Sequence, residues 1–180
     1  MKRINVVGTS ASGKSTFSKA LAQKLGLSYI ELDDLFWLND WQESSDQAFF
    51  KKLQQKIDRA SDGYVIDGNY TRTKHIKWKG IDTIIWLDLP FHLNLYRAVK
   101  RALHRAISRK KLWNHSNNRE SLKKLLSRDS IILWMIKTHK KNQKHYLKMM
   151  ESNEWPNVHW IRLRSPKEIE DFLKSNHKPK

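Results

Sequence analysis

The sequence predicts a single α/β domain built on a parallel β-sheet, and three observations carry this prediction. Short apolar runs alternate with helical patterns along most of the 180 residues, which is typical of a parallel sheet covered by helices on both faces. A loop bounded by glycines follows the first apolar run and opens the first helix. The chain shows no internal repeat and no Pro-, Gly- or Ser-rich linker, and its length suits one domain.

The elements follow one another in a regular order. The predicted strands are residues 4–7, 29–32, 64–66, 83–87 and 158–163. A helix over 15–25 carries Phe17, Leu21 and Leu25 at four-residue spacing, and a polar helix is predicted over about 44–60. The last helix has a clear start, because Ser165 is a capping residue, Pro166 suits the first helical position and Glu168 completes a capping box.

The segment from about 91 to 150 breaks this alternation and is predicted to be mostly helical. Arg97, Arg101 and Arg105 recur every four residues on one face of its first helix. The other face is apolar, and its residues are Leu95, Val99, Ala102, Leu103 and Ala106. A polar, turn-rich stretch over 110–119 and two further helical stretches follow.

Charge is concentrated in the same segment. The chain has 35 Lys and Arg against 18 Asp and Glu, a net charge of +17, and residues 97–149 hold 16 of the basic residues and two acids, a local charge of +14. Such an excess favours polyanionic partners, namely nucleotides, nucleic acid or an anionic membrane surface. The absence of Cys excludes a disulfide scaffold, a thiolate zinc site and a Cys nucleophile. No apolar run approaches the roughly 18 residues that span a bilayer, so a cytoplasmic protein without a membrane partner is predicted.

The glycine-bounded loop matches the phosphate-binding pattern G-x-x-x-x-G-K-[ST] between Gly8 and Ser15. Gly8 and Gly13 permit the backbone angles that turn successive amides toward phosphate oxygens. Lys14 is predicted to reach the β- and γ-phosphates of ATP, and the Ser15 hydroxyl to ligate Mg²⁺. The residues predicted to bind the nucleotide are Gly8, Ser10, Ala11, Ser12, Gly13, Lys14, Ser15 and Thr16. The motif predicts a three-layer P-loop NTPase domain.

Acidic residues follow three of the predicted strands, at the sheet edge where such folds place their sites. Asp88 ends strand 83–87 at the Walker B position, and we expect it to help coordinate Mg²⁺. Asp33 and Asp67 are candidates to orient or deprotonate a phosphate acceptor, with Asp34 a weaker candidate. A structural explanation stays open for each of them, because Asp also caps helices and forms turns.

The regularly spaced arginines and four of the tryptophans each allow two interpretations. One interpretation is a lid that neutralises phosphate charge, formed by Arg97, Arg101 and Arg105 with Arg109 and Arg119 around the polar stretch. The other is a basic face exposed to solvent, which is the simpler explanation for any single one of these arginines. Four tryptophans in polar surroundings would either stack on a base or pack under loops; these are Trp37, Trp41, Trp78 and Trp113.

Beyond the phosphate loop, four further segments carry a resemblance to a known family. They are residues 32–37 (L-D-D-L-F-W), 66–70 (I-D-G-N-Y), 85–88 (I-W-L-D) and the lid pieces around Trp113, Arg119, Trp134 and His139. In these segments the chain resembles the adenylate-kinase-related DNA topology modulation proteins of FlaR type. The resemblance implies a nucleoside-monophosphate-kinase fold with strand order 2-3-1-4-5. It also implies that Arg101, Arg105 and Arg119 belong to the lid, and that residues near Ser165 border the adenine. Asn117 stands where this group usually has Gly.

Two functions are compatible with these features. The first is an ATP- and Mg²⁺-dependent phosphotransferase of the nucleoside monophosphate kinase type, acting on a nucleotide or another small acceptor. Residues 34–62 would form its acceptor-side region and residues 97–149 its basic lid region, and its catalytic residues would be Lys14, Asp33, Asp67, Arg101, Arg105 and Arg119. The alternative is a nucleotide-binding regulatory protein that binds DNA or RNA through the basic helical segment.

Overall fold

A five-stranded sheet forms the centre of the protein. A computed structural model describes residues 1–108, 112–113, 116–119, 130–152 and 154–176. All neighbouring strands pair in parallel, in the order β2-β3-β1-β4-β5. The strands are β1 (Arg3–Gly8), β2 (Ser28–Glu31), β3 (Tyr64–Asp67), β4 (Thr83–Leu87) and β5 (His159–Leu163). The predicted fold class and strand order are confirmed.

Seven helices connect the strands in the described part of the chain. They are α1 (Lys14–Leu25), α2 (Leu32–Phe36), α3 (Asp46–Asp58), α4 (Lys74–Lys77), α5 (Phe91–Ser108), α6 (Ile131–Glu151) and α7 (Pro166–Ser175). The boundary predicted after β2 was wrong by one residue, because Leu32 begins α2 and does not end the strand. This early turn buries Leu32, Leu35 and Phe36 and places Asp33 at the edge of the sheet.

Each face of the sheet has its own apolar core. On one face, Phe17 and Leu21 of α1 meet Val65 of β3, with Phe172 of α7 packed against them. On the other face, α3 contributes Phe49 and Leu53, and α6 contributes Tyr146 and Met149, to a larger cluster that also contains Trp78, the residue after α4. The sheet is therefore covered on both sides, and the carboxyl ends of its strands are left to form a site.

The helix α5 does not bury the whole of its apolar face. Val99 and Leu103 are 36% and 44% exposed. Ala98 packs instead against Ala11 of the phosphate loop and Met135 of α6. The small alanine side chains let α5 lie close to the loop, so that its arginine face is turned inward.

The last helix begins as predicted, with one difference. The Ser165 hydroxyl accepts a hydrogen bond from the Glu168 amide at 3.1 Å, and Pro166 is the first helical residue. The Glu168 carboxylate reaches one residue further back than in a capping box and accepts from the Arg164 amide at 2.8 Å.

The basic region over 97–149 is only partly described. α5 and α6 account for two of its predicted helical stretches, whereas Arg109 and residues 120–129 lie outside the described residues. None of the helices that the structure describes combines the length and the apolar character needed to cross a bilayer.

Candidate active site at the phosphate loop

The phosphate loop takes backbone angles that its glycines permit. Gly8 has φ 151°, and a Cβ at this position would lie 2.7 Å from the Leu87 carbonyl oxygen. Gly13, the residue before α1, has φ 92°. Ala11 between them adopts φ 64°, a conformation that costs about 1–2 kcal/mol for a residue with a Cβ. Such strain in a binding loop is typical of a segment shaped for its ligand rather than for stability.

The first turn of α1 has backbone amides that can bind an anion. No side chain caps the helix at Gly13, so its first amides keep their capacity to bind phosphate oxygens. The Lys14 ammonium group donates to the Thr9 carbonyl at 3.0 Å across the loop. Burial lowers the pKa of Lys14, whereas the negative charges of Asp67 and Asp33 raise it. Burial outweighs the two negative charges, so the net effect is a lowered pKa for Lys14, which lies close to both carboxylates.

Asp67 is the carboxylate most deeply placed in the site. It ends β3, is 4% exposed, and accepts a hydrogen bond from the Tyr29 hydroxyl at 3.1 Å through Oδ2. Its other oxygen, Oδ1, is buried and has no hydrogen-bond partner among the described residues. Burial raises the pKa of Asp67, while Lys14 and the neighbouring Ser15 hydroxyl lower it. A buried acceptor without a partner is costly unless a ligand supplies a donor or a cation.

Asp33 lies in the first turn of α2 and accepts from the Tyr70 hydroxyl at 2.6 Å. Burial and the Asp33 charge raise the pKa of Tyr70, so this hydroxyl remains a donor. Asp34, the next residue, lines a surface pocket of about 250 Å³ together with Lys19 and Glu31. The structure thus turns Asp33 and Asp67 toward Lys14, and Asp34 toward a different cavity.

Asp88 is bound to groups that the sequence did not predict. The Arg162 guanidinium of β5 donates to its Oδ2, with the Nε contact at 2.9 Å, and Gln143 of α6 donates to both oxygens at 3.2 and 3.4 Å. The carboxylate is only 6% exposed. The magnesium role of Asp88 stays a prediction, and in this arrangement it would act through a water molecule.

The sequence reasoning missed Asn69, which holds the start of the phosphate loop. The Gly8 amide donates to Asn69 Oδ1 at 3.1 Å, and Asn69 Nδ2 donates to the Gly8 carbonyl at 2.8 Å. The buried ammonium group of Lys77 donates in turn to the Asn69 and Gly68 carbonyls. Within the D-G-N-Y segment, the sequence predicts a role only for Asp67.

Two arginines of α5 reach the phosphate loop. Arg101 Nη2 donates to the Ser10 hydroxyl at 3.2 Å, and Arg97 Nη1 donates to the Ser12 carbonyl at 3.4 Å. Arg105 lies one turn further along α5, and Arg119 is exposed in the loop beyond it. The lid roles of Arg101, Arg105 and Arg119 all stay predictions, and among the three Arg101 has a hydrogen bond to the phosphate loop.

Residues 112–113 and 116–119, which we name the lid segment, lie on the loop after α2. Asn118 donates to the Leu38 carbonyl and accepts from the Trp41 amide, both at 2.8 Å. Trp113 donates its indole N–H to Glu31 Oε1 at 3.1 Å, and its ring lies 6.1 Å from that of Trp41. Trp78, by contrast, is buried in the core and donates to Asn5, so base stacking is excluded for it.

The parallel sheet in this order, with a phosphate loop between β1 and α1, defines a P-loop NTPase with a nucleoside monophosphate kinase-like fold. Within this class, the chain belongs to the AAA domain family, whose model matches residues 4–122.

Two curated relatives are shikimate kinases. The one from Sulfurihydrogenibium sp. (strain YO3AOP1) is 30% identical over 112 residues, which cover 54% of this chain and 66% of that protein. The one from Persephonella marina (strain DSM 14350 / EX-H1) is 30% identical over 105 residues, covering 50% and 63%. The chain thus spans slightly less than two thirds of the length of these relatives.

Solved structures share the fold over nearly the whole chain. A sugar kinase from Janibacter sp. HTCC2649 gives a TM-score of 0.53 at 17% identity, covering 97% of this chain and 93% of its own. A gluconokinase from Sinorhizobium meliloti 1021 gives 0.51 at 14%, covering 96% and 87%. Shikimate kinase from Acinetobacter baumannii, in complex with shikimate, gives 0.55 at 15%, covering 97% and 89%. At these identities the likeness establishes the fold alone.

Proposed function

We propose that this protein is an ATP- and Mg²⁺-dependent phosphotransferase that transfers a phosphoryl group to a hydroxyl of a small molecule. The observation that carries the proposal is Asp67, a buried carboxylate beside Lys14 whose Oδ1 lacks a hydrogen-bond partner in the described part of the chain. A protein that only binds nucleotide needs the phosphate loop. A kinase also needs a group next to the loop that receives the acceptor hydroxyl, and Asp67 supplies it.

The residues around the phosphate loop have different roles in the proposed reaction. The loop amides and Lys14 hold the phosphates, and Arg101 adds positive charge near Ser10. Asp67 accepts the hydrogen of the acceptor hydroxyl through Oδ1, and Asp33, fixed by Tyr70, holds a neighbouring part of the acceptor.

The metal site is formed by hard oxygen ligands, which suit Mg²⁺. The Ser15 hydroxyl lies in the first turn of α1, and Asp88 lies at the end of the neighbouring strand β4. Ser15 would bind the ion directly, and Asp88, held by Arg162, would bind it through a water molecule. When bound, Mg²⁺ neutralises charge on the β- and γ-phosphates.

The class of acceptor is supported by the site and by the relatives. Two carboxylates facing Lys14 favour an acceptor with several hydroxyl groups, because each carboxylate oxygen accepts a hydrogen bond. The similar proteins are named shikimate kinase, sugar kinase and gluconokinase. A small polyhydroxylated compound is therefore the acceptor we propose, and a nucleotide is the alternative for the same reaction.

Two finer hypotheses have narrower support. Membership of the FlaR-type topology modulation group rests on the 32–37 and 66–70 segments. Binding of DNA or RNA rests on the exposed lysines of α6, since Arg97 and Arg101 on α5 turn toward the phosphate loop. The exposed lysines are Lys137, Lys140, Lys141, Lys144 and Lys148.

An acceptor screen tests the proposed function. With Mg²⁺-ATP and a panel of polyhydroxylated metabolites and nucleotides, we expect at least one acceptor to stimulate ADP formation. Lys14→Ala should lower that rate by about 100-fold or more, because it removes a cation from the transferred phosphoryl group. Lys51→Ala, at an exposed position on α3, is the matched control and should retain full activity. The proposal fails if no acceptor raises ATP consumption above that of Lys14→Ala.

A further inference from the structure

The edge of the sheet opposite the phosphate loop carries a cavity of about 700 Å³. It lies at the amino ends of the strands, where Arg3 begins β1, Tyr64 begins β3 and Asp82 precedes β4. Pockets that hold small molecules have volumes of roughly 300–1,000 Å³. The phosphate loop lies at the carboxyl end of β1, so the cavity is separate from the proposed active site.

One wall of the cavity is apolar. Ile57 at the end of α3, Ala60 just after that helix and Ile76 of α4 line the cavity, and all three pack against the core beneath it. Packing against the core holds these side chains in place, so the wall is a fixed surface. Apolar surface that is still partly in contact with water favours the burial of an apolar part of a ligand.

Tyr64 supplies a polar group at the same cavity. The residue is 4% exposed, and it lies beside Arg3 in the register of β1 and β3, so that both side chains stand on one face of the sheet. Its hydroxyl makes no hydrogen bond to any residue of the described ranges. Burial raises the pKa of Tyr64, while the charge of Arg3 lowers it and that of Asp82 raises it. The hydroxyl therefore stays protonated and is available as a donor at the cavity.

The guanidinium group of Arg3 supplies positive charge next to this hydroxyl. It lies over Gly80, because a Cβ at that position would be only 3.0 Å from Arg3 Nη1. Arg3 forms no ion pair with an acid that the structure describes. The Asp82 carboxylate instead accepts from the amides of Lys2 and Arg3, at 2.7 and 2.9 Å, and from the Thr83 hydroxyl at 2.7 Å. The N–H groups of the guanidinium are therefore available for an oxyanion.

The charges around the cavity favour an anion. Lys2, Arg3 and Lys79 line it, together with the acids Asp62 and Asp82. Because three donors already bind the Asp82 carboxylate, its negative charge is largely compensated. A guanidinium group beside a hydroxyl donor matches the oxygens of a carboxylate or a phosphate group.

We propose that this cavity binds a small organic oxyanion, a carboxylate or a phosphate ester that also carries an apolar part. The oxyanion accepts hydrogen bonds from the Arg3 guanidinium and the Tyr64 hydroxyl, and the apolar part lies on Ile57 and Ile76. Recognition requires both walls, so an anion without an apolar part and an apolar molecule without a charge each bind more weakly. The site does not depend on the proposed phosphotransferase function.

Titration of the whole chain with small probes, followed by amide NMR, tests the site. Benzoate and phenyl phosphate are the probes, because each joins an oxyanion to an apolar ring. We expect at least one of them to shift the amide signals of Gly63, Gly80 and Asp82 with a Kd of about 1 mM or lower. The signals of Gly8 and Gly13 report separately on binding at the phosphate loop. Benzamide and inorganic phosphate each lack one of the two recognised parts and should bind at Gly80 about tenfold more weakly.

Variants identify the groups that hold the probe. Arg3→Met should raise its Kd by about tenfold or more, and Tyr64→Phe by about threefold. Gly80→Ala keeps every charge but places a Cβ where the Arg3 guanidinium lies, so it should also raise the Kd by about threefold. Lys100→Met, which removes the same charge from an exposed position of α5, should bind the probe like wild type.

Three results would overturn the site. The first is that neither probe shifts the Gly80 signal up to about 10 mM. The second is that benzamide or inorganic phosphate binds there as tightly as the probes. The third is that Arg3→Met and Lys100→Met have equal effects, which would show a general positive field and no fixed contact. None of these results affects the proposed phosphotransferase function, which the acceptor screen tests by itself.

Discussion

At the residue scale, the amide side chain of Asn69 makes the hydrogen bonds to Gly8 that a continuing strand β3 would otherwise make. β3 pairs with β1 as far as Asp67 and Val6, and then turns away at Gly68. The N–H and C=O of Gly8 that would face β3 are instead bound by the two ends of the Asn69 amide. Only a side chain with both a donor and an acceptor can satisfy both groups. The start of the phosphate loop is thereby fixed at the point where regular pairing ends.

Replacing Asn69 should loosen the phosphate loop. In Asn69→Ala, both Gly8 groups lose their partners, and we expect the free energy of unfolding to fall by about 1–3 kcal/mol. We also expect nucleotide Kd to rise by roughly tenfold, because the loop amides are no longer held in a binding arrangement. Denaturant unfolding and titration with ATP measure the two effects. Asn69→Asp keeps the acceptor for the Gly8 amide and should lose less stability, but its negative charge beside the phosphate loop should weaken ATP binding as well. Wild-type ATP affinity in Asn69→Ala would contradict this account.

The contrast between the phosphate loop and Asn69 shows which residues a sequence can reveal. The loop from Gly8 to Ser15 is encoded by local spacing, and its chemistry can be assigned without a fold. The contact between Asn69 and Gly8 joins residues 61 positions apart, so it depends on strand register, which the sequence does not display. Asp88 was placed correctly at the end of β4 for the same local reason. Its pairing with Arg162 on β5 was missed, because that contact too is set by register.

At the scale of elements, the lid segment is fastened to the loop after α2 by side-chain amides. Asn117 accepts from the Asp40 amide at 2.8 Å and donates to the Asp40 carboxylate at 2.8 Å. Asp40 and Trp41 have φ values of 54° and 60°, a conformation that is unfavourable for side chains of this size. The amide contacts therefore hold a strained loop in place. The resemblance leads one to expect Gly at 117, and Asn there supplies contacts that Gly lacks.

Loss of the Asn118 contacts should open the acceptor side. Asn118→Ala removes the bonds to Leu38 and Trp41, each contributing about 0.5–1.5 kcal/mol. We expect KM for the acceptor to rise by about tenfold, while KM for ATP changes by less than about twofold, because the phosphate loop is not touched. Steady-state kinetics with each substrate varied in turn measure this. Asn176→Ala, at the end of α7, is the control and should resemble wild type; equal changes in both KM values would speak against a lid that closes on the acceptor.

The helix α5 shows why an amphipathic pattern does not always point inward with its apolar side. The pattern over 95–107 separates an apolar face from a basic face. The phosphate loop lies against α5, however, and Arg97 and Arg101 reach loop oxygens while Val99 and Leu103 are exposed. Burial of the arginine stems is favoured here because their charged ends meet loop acceptors. A functional surface thus overrides the usual orientation, and the helical period alone cannot reveal it.

At the scale of the whole molecule, the fold follows from the alternation of strands and helices along the sequence. The positive net charge, in contrast, has more than one structural explanation. Five short apolar runs with helices between them were sufficient for the parallel sheet, since connections of this kind are nearly always built in one way. Among the described basic residues of 97–149, Arg97 and Arg101 face the phosphate loop, whereas five lysines of α6 are exposed. The first group matches a site for phosphates. The second adds to the positive field of the protein, which attracts anions in general.

Lys77 of α4 is a buried lysine that should contribute to the pH dependence of stability. This side chain is 1% exposed, and burial lowers its pKa from 10.5 to about 7, with a smaller contribution from the charge of Lys74. A neutral amine keeps two N–H groups for the Gly68 and Asn69 carbonyls, so the contact survives deprotonation. Above pH 7 the folded protein releases this proton, whereas the unfolded chain keeps it until about pH 10.5. Between these values the unfolded state binds more protons, and stability must rise with pH.

We therefore expect the free energy of unfolding of the wild type to rise between pH 7 and 9, relative to Lys77→Met, by up to about 1.4 kcal/mol per pH unit. Below pH 7 the difference between the two proteins should become constant, because Lys77 is then protonated in both states. Denaturant unfolding at four pH values from 6 to about 9 measures it. Lys79→Met, two residues away and exposed, should keep the wild-type slope. Parallel curves for wild type and Lys77→Met across this range would show that Lys77 remains charged in the folded protein, so that the amine beneath Asn69 does not titrate near pH 7.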